Sequence, residues 1–96
     1  MFVVYGKIEL HLPYASSLKE KRQTVQAIIS KVRKRFNVSM CEVEHHELWQ
    51  RATIGFAAVS ASFAESDLIL SALKETVYQY SDQAELLNFL YNQIPD

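Results

Sequence analysis

The chain contains little cysteine, glycine and proline, and each shortage excludes a class of protein. Among its 96 residues are one cysteine, two glycines and two prolines. A single cysteine, Cys41, cannot build an internal disulfide framework or a cysteine-rich metal cluster. Two isolated glycines, Gly6 and Gly55, cannot form a glycine-rich phosphate loop. The sequence therefore lacks the motifs of disulfide-stapled, zinc-ribbon and P-loop proteins.

The sequence contains no long apolar run, and its first residues do not have the pattern of a signal peptide. No run approaches the roughly 18 apolar residues that a membrane-spanning helix needs, and the N-terminus lacks the basic start of a signal peptide. The composition, 49% hydrophobic and 22% charged, is typical of a globular domain. We expect one cytoplasmic domain over residues 1–96, with no membrane segment and no cofactor.

Charge is unevenly divided along the chain. Residues 1–36 carry eight lysines and arginines against two acids, a net charge of +6, whereas residues 37–96 carry two against nine acids, −7. The overall charge of −1 thus conceals a strong charge separation. Such a pattern permits a local basic surface for a polyanion although the whole protein is nearly neutral.

Hydrophobic periodicity predicts a strand and a helix in the first third of the chain. Residues 2–12 alternate apolar and polar side chains, as a strand does, and Pro13 ends the ladder. Ser17 and Glu20 form a capping box that opens a helix, and Asn37 is suited to a left-handed C-cap. The apolar residues at helical spacing are Leu18, Val25, Ile29, Val32 and Phe36.

The remaining two thirds predict two strands, a helix and a last strand. Apolar and polar residues alternate imperfectly in residues 38–44, which indicates a bulge or an edge strand. Residues 52–61 are apolar at both odd and even positions, as in a central strand that is covered on both faces. Ser62 and Glu65 form a second capping box, and residues 86–94 form the last strand. The second helical stripe is Ile69, Leu73, Val77 and Tyr80.

The order βαββαβ predicts an α+β, ferredoxin-like sandwich. Right-handed crossovers give a four-stranded antiparallel sheet of order 4-1-3-2, with both helices on one face and the other face open. This topology brings the segments Ser16–Arg22 and His45–Arg51 to the same end of the sheet. It places the basic end of the first helix at the opposite end.

The open face suggests self-association. If Ile54, Phe56 and Ala58 face the helices, the open side of their strand presents small apolar residues, namely Gly55, Ala57, Val59 and Ala61. A bare apolar face is unusual in a monomer. We therefore expect a homodimer through the open sheet face.

Several motifs resemble the YlxP-like family of small bacterial proteins, a domain of unknown function. They are Ser17–Arg22, Arg35–Ser39, Glu42–Val43, Leu48–Ala52 and Ala58–Ser60. The resemblance covers nearly the whole chain and implies a ferredoxin-like sandwich. It further implies work on RNA or the ribosome, because members are often encoded beside translation-initiation and ribosome-maturation genes. The family supplies no established catalytic residues.

The first candidate site is the start of the first helix, where cations oppose the helix dipole. Free N–H groups, serine hydroxyls and cations together favour a phosphate; the residues concerned are Ser17, Lys19, Lys21 and Arg22. The alternative is internal pairing of these cations with Glu44 and Glu47, predicted at the same end.

Trp49 and Arg51 form a second candidate, on the loop between the middle strands. Trp49 stacks on a base with Arg51 on a phosphate in one interpretation. In the other, which is more usual for such a tryptophan, Trp49 folds back and closes the end of the core. We expect the core role.

Two further clusters have mainly structural interpretations. The four cations Lys31, Arg33, Lys34 and Arg35 suit a solvated helix C-terminus, with a nucleic-acid surface as the alternative. A metal site would use His11, His45 and His46 with neighbouring carboxylates, but these residues lack a recognised ligand spacing. We expect no metal.

The sequence gives poor support for catalysis. Cys41 lies in an apolar strand, so we expect a core residue rather than a nucleophile. The leading hypothesis is a non-enzymatic accessory factor that binds RNA or a ribosomal subunit through phosphates. The alternatives are a protein-interaction or assembly module and a binder of small anionic ligands.

Overall fold

A computed structural model describes residues 1–96 and contains the six predicted elements in the predicted order. The elements are β1 (Phe2–His11), α1 (Leu18–Arg33), β2 (Ser39–Glu44), β3 (Arg51–Ser60), α2 (Phe63–Gln79) and β4 (Glu85–Pro95). The strands form one sheet of order β2-β3-β1-β4, and all three neighbouring pairs are antiparallel. The predicted α+β sandwich and its strand order 4-1-3-2 are thus confirmed.

Both helices begin at serine caps, as predicted, with one difference in geometry. The hydroxyl of Ser17 accepts the N–H of Glu20 at 3.1 Å, and that of Ser62 accepts the N–H of Glu65 at 3.1 Å. The Glu20 carboxylate reaches the N–H of Ser16, at 2.7 Å, one residue before the cap. That hydrogen bond and a second from the Ser16 hydroxyl hold the pKa of Glu20 below its ordinary value.

The core lies between the helices and one face of the sheet. It contains nineteen buried apolar residues, which come from both helices, from β1, β2 and β3, and from the segments between elements, Ala84 included; Leu86 and Phe89 of β4 pack against it and are partly buried. The central residues of both predicted helical stripes are buried: Val25, Ile29, Val32, Ile69, Leu73 and Val77. The stripe ends Leu18, Phe36 and Tyr80 are only partly buried. Burial of this face stabilises the fold by roughly 25 cal/mol per Å² of apolar surface.

The side chains of β3 face the two sides of the sheet as predicted. Ile54, Phe56 and Ala58 are buried beneath the helices, whereas Ala57 and Val59 are exposed on the open face. The predicted irregularity of β2 is also present, as a register shift between Glu42 and Glu44. The sheet is therefore two-sided, with one face packed on the helices and one face bare.

The end of α1 differs from the prediction. The C-cap is Lys34, in right-handed conformation, and its N–H donates to the Ser30 carbonyl. His45 is the single non-glycine residue with positive φ, at 65°. The predicted left-handed cap at Asn37 is therefore wrong, because ordinary helical bonds already satisfy the last turn.

Gly6 allows β4 to lie close to β1. It pairs with Phe56 on β3 and with Tyr91 on β4. A Cβ at this position would overlap the Leu90 carbonyl oxygen and approach the Phe56 ring to 2.8 Å. Since backbone atoms cannot step aside as a side chain can, this position needs glycine.

Candidate functional site

The loop between β2 and β3 contacts the loop between β1 and α1 at one end of the fold. The Gln50 side chain donates to the carbonyls of Pro13, at 3.2 Å, and Ala15, at 3.3 Å. The Leu12 N–H donates to the Gln50 carbonyl at 2.9 Å. The predicted proximity of the segments Ser16–Arg22 and His45–Arg51 is confirmed. We call this region the loop end.

Lys21 ties α1 to β2 and to the loop between β2 and β3 from inside the protein. Its side chain is 0% exposed, and Nζ donates to the Glu42 carboxylate at 2.8 Å. Nζ also donates to the carbonyls of His45, at 2.8 Å, and His46, at 3.2 Å. These three bonds use all three ammonium donors. The prediction that Lys21 contacts an external phosphate is therefore wrong, since Glu42 and two carbonyls already satisfy the buried charge.

The Lys21 ammonium also holds an unusual backbone turn. His45 has a left-handed conformation, with φ at 65°, which costs a non-glycine residue of the order of 1 kcal/mol or more. Its carbonyl accepts from both Lys21 and the Leu48 N–H, the latter at 3.1 Å. The turn that leads to Trp49 is thus fixed by buried hydrogen bonds.

Lys19 and Arg22 remain outside. Both side chains are exposed, and neither belongs to one of the three ion pairs in the protein. The pairing alternative is wrong in its partners: Glu44 pairs with Lys7, at 2.6 Å. Glu47 joins none of those ion pairs. Two cations at the start of α1 are therefore available to an external anion.

The Glu44–Lys7 pair is a surface feature of the sheet. Lys7 lowers the pKa of the Glu44 carboxyl, mainly by its hydrogen bond and then by charge attraction, and Glu44 raises the pKa of Lys7 for the same reasons. Because both groups are exposed to water, the pair contributes little to stability.

The serine hydroxyl at the helix start and two nearby N–H groups have internal partners. The Ser17 hydroxyl is occupied by the Glu20 N–H, and the Glu20 carboxylate takes the Ser16 N–H. Ser17 is consequently a cap rather than an anion ligand, which corrects its assignment as a candidate.

Trp49 is exposed at the tip of the loop end. It retains 54% of its accessible surface, and the neighbouring Leu48 retains 49%. The predicted core role of Trp49 is wrong, because Lys21 and Gln50 anchor the loop on either side and leave the indole outside. An aromatic ring of this kind offers a flat face for stacking.

Arg51 is less accessible than expected. It begins β3 in register with His11 and is half-buried. Its Nε atom is buried without a hydrogen-bond partner in the protein. The terminal guanidinium nitrogens are the part of Arg51 that remains for a phosphate.

The histidines do not converge on a metal site. His11 Nδ1 lies 3.3 Å from the Glu85 carboxylate, and His46 Nε2 lies 3.0 Å from the Glu42 carbonyl. No group of three or more His, Cys, Asp or Glu side chains is close enough to hold a metal ion. The candidate ligands His11, His45 and His46 therefore have no common centre.

Cys41 is exposed, which corrects its predicted place in the core. It pairs in register with Gly55 on β3. Gly55 is a position on the open face of the sheet, so Cys41 lies on that face as well. The imperfect alternation of β2 concealed this phase, because the bulge between Glu42 and Glu44 shifts the pattern by one residue.

The basic C-terminus of α1 has several local contacts. Arg33 donates to the Met40 carbonyl at 2.7 Å, Lys31 lies 5.9 Å from the Tyr80 ring centroid, and Arg35 lies 5.4 Å from that of Phe36. These contacts agree with a stabilising helix end. Lys34 and Arg35 remain exposed and form no ion pair.

Fold and sequence together define first a class and then a family. The class is the split βαβ sandwich with one open sheet face, whose elements are given above. The chain belongs to the family DUF503, a protein family of unknown function, whose pattern matches residues 3–90. It is 43% identical over 63 residues to the uncharacterized protein YlxP of Bacillus subtilis (strain 168). The aligned residues are 66% of this chain and 68% of that protein. The predicted YlxP-like resemblance is confirmed.

Solved structures of similar shape have unrelated functions. The de novo designed protein Foldit4 matches 100% of this chain and 99% of its own, with a TM-score of 0.59 at 9% identity. SnoaB, a cofactor-independent oxygenase from Streptomyces nogalater, matches 99% of this chain and 92% of its own, with a TM-score of 0.57 at 3% identity. A C-terminal segment of the aIF2 alpha subunit from Pyrococcus abyssi matches 90% of this chain and 49% of its own, with a TM-score of 0.57 at 13% identity. At these identities the likeness shows the fold alone.

Neither helix is long and apolar enough to cross a membrane.

Proposed function

We propose that the protein is a cytoplasmic, non-enzymatic factor that binds RNA, as on a ribosomal subunit, through the loop end. One observation supports this proposal: the loop end presents an exposed tryptophan together with two unpaired cations, Lys19 and Arg22. Stacking of a base on an aromatic ring beside phosphate-binding cations is the usual chemistry of single-stranded nucleic-acid binding.

The rigidity of the loop favours this function. Lys21 and Gln50 hold the segments on either side of Trp49 through five hydrogen bonds. A loop whose backbone is already held loses little conformational freedom when a ligand binds, so more of the stacking energy appears as affinity. The buried Lys21 thus supports the binding surface without touching the ligand.

The charge distribution supports association with a polyanion. The exposed surface of α1 and the residues after it carry Lys19, Arg22, Lys31, Lys34 and Arg35, all outside the protein's ion pairs. The one carboxylate on this helix, Glu20, is bound to Ser16. A one-sided basic helix on a nearly neutral protein steers a polyanion toward that side.

The direct test is a titration of labelled single-stranded RNA with the protein, followed by fluorescence anisotropy over a range of salt concentrations. Loss of two phosphate contacts in Lys19→Ala/Arg22→Ala should reduce the slope of log K against log salt by about 1.4. Lys34→Ala/Arg35→Ala removes the same charge at the other end of the helix and serves as the control. We expect it to change the slope much less, because in this proposal Lys34 and Arg35 add to the long-range attraction but do not contact phosphate.

Trp49 is tested in the same titration. Replacement by alanine should weaken binding by roughly 1–3 kcal/mol per stacked base. Leu48→Ala is the matched control, because Leu48 is an equally exposed apolar neighbour without an aromatic face. Equal effects of the two substitutions, or no RNA binding by the unmodified protein at low salt, would contradict the proposal.

A further inference from the structure

The two edges of the sheet are built differently. The β2 edge is short, with six residues, carries Glu42 and Glu44, and has a register shift between them. The Arg33 guanidinium also occupies the Met40 carbonyl on this strand, at 2.7 Å. Short length, charge, a bulge and a covering side chain are the devices by which proteins prevent edge-to-edge pairing.

The β4 edge has almost none of these devices. It is an eleven-residue strand, Glu85–Pro95, that pairs with β1 on one side only. Residues 86–94 contain no charged side chain. Its one register shift, opposite Glu9 and Leu10, lies near the start of the strand and leaves the remainder regular. The outer N–H and C=O groups of this strand are a template for another strand.

The geometry points to a second copy of this chain as the occupant: we propose that β4 pairs antiparallel with β4 of another protomer to give a continuous eight-stranded sheet. A two-fold contact must be self-complementary, and charge is the first test of that. The midpoint of the uncharged segment is Leu90. With the axis there, Phe89 lies opposite Tyr91 of the partner subunit and Asn88 lies opposite Asn92 of the partner subunit, so no like charges meet along the regular part of the strand.

Burial of apolar surface favours the same arrangement. Leu90 and Ile94 are each about half exposed, at 50% and 48%. They lie in register with Lys7 and Val3, and so on the open face of the sheet. Edge pairing brings the Leu90 side chains of the two protomers together at the axis. Main-chain hydrogen bonds supply affinity, and the side chains set the register. This inference does not depend on RNA binding.

The test begins with analytical ultracentrifugation of the full chain at micromolar concentrations. Leu90→Glu places a carboxylate beside Lys7 in the protomer, which favours folding, but brings two carboxylates together at the axis. We expect the dimer dissociation constant to rise about tenfold, because the substitution removes the Leu90–Leu90 contact and adds repulsion between like charges. Val59→Glu puts the same charge on the open face of β3, two strands from the edge, and should leave the dimer intact. Circular dichroism confirms that both variants are folded.

Amide hydrogen exchange along β4 decides between edge pairing and face-to-face packing. In an edge dimer successive amides are bonded alternately to β1 and to the partner strand, so all of the central β4 amides exchange slowly. In a face-to-face dimer or a monomer every second amide is free, so fast and slow exchange alternate along the strand. Uniform protection supports the proposal, and alternation overturns it whatever the variants do. A wild-type protein that is monomeric at 100 μM, roughly the range of weak homodimers, also overturns it.

Discussion

Replacing Lys21 by methionine keeps the volume of a buried side chain but removes its charge and its three hydrogen-bond donors. Glu42, whose side chain is 11% exposed, then keeps a charge without its partner, and the carbonyls of His45 and His46 lose a donor. Removing one member of a buried pair costs roughly 3–5 kcal/mol. The lost carbonyl contacts place Lys21→Met toward the upper end of that range.

The assay is urea denaturation at neutral pH, followed by circular dichroism. Thermal unfolding gives the same comparison. A domain of this size loses about 4–8 °C of Tm per kcal/mol of stability, so the expected loss lowers Tm by at least about 12 °C. Lys19→Met is the matched control: it makes the same chemical change two residues away on the exposed side and should alter stability by less than about 0.5 kcal/mol. If Lys21→Met cost no more stability than this control, the stabilising role assigned to the buried Lys21 hydrogen bonds would be refuted.

A double-mutant cycle separates the ion pair from simple packing. Glu42→Leu alone leaves the Lys21 ammonium buried without its carboxylate, and should also be costly. Combining it with Lys21→Met removes both charges, so the double variant should lose less than the sum of the single losses, by about 1–3 kcal/mol. Strictly additive losses would contradict a direct Lys21–Glu42 interaction.

Three other predictions concern single residues. Gly6→Ala should destabilise the fold by at least about 2 kcal/mol in urea denaturation, because the Leu90 carbonyl must move, whereas Gly55→Ala displaces only a side chain and should cost less. Glu20 has a lowered pKa in the folded protein, so its contribution is present above the ordinary value of 4.5 and is lost as the pH falls through the folded value. The Tm difference between wild type and Glu20→Gln should therefore shrink with acidification in that range; a constant difference would contradict the assignment. The emission of Trp49 should be that of a solvated indole and should be quenched by iodide, and protection from iodide in the free protein would place the ring in a core.

The fold could be predicted from the sequence because its signals are local. Alternation in residues 2–12, serine caps at Ser17 and Ser62, and an apolar central strand fix the element order, and handedness then leaves one arrangement. The loop end followed from that topology alone.

The chemistry of the loop end could not be predicted, because it depends on long-range pairs. Lys21 lies near the apolar stripe of α1, but its partner Glu42 is on another strand. The structure supplies the missing information: Glu42 pairs with Ile54, which faces the helices, and this register places a carboxylate under α1 that needs a cation. Trp49 resembled a core residue because large aromatics are usually buried, and only the anchored loop shows why the ring stays outside.

The most direct test of RNA association is sedimentation of cell extract through sucrose gradients at low and high salt, with this protein located by immunoblot. The proposal predicts co-migration of the wild type with a ribosomal subunit at low salt, lost at high salt. It predicts the same loss at low salt in Lys19→Ala/Arg22→Ala but not in Lys34→Ala/Arg35→Ala. A wild-type protein that stays at the top of both gradients would contradict it.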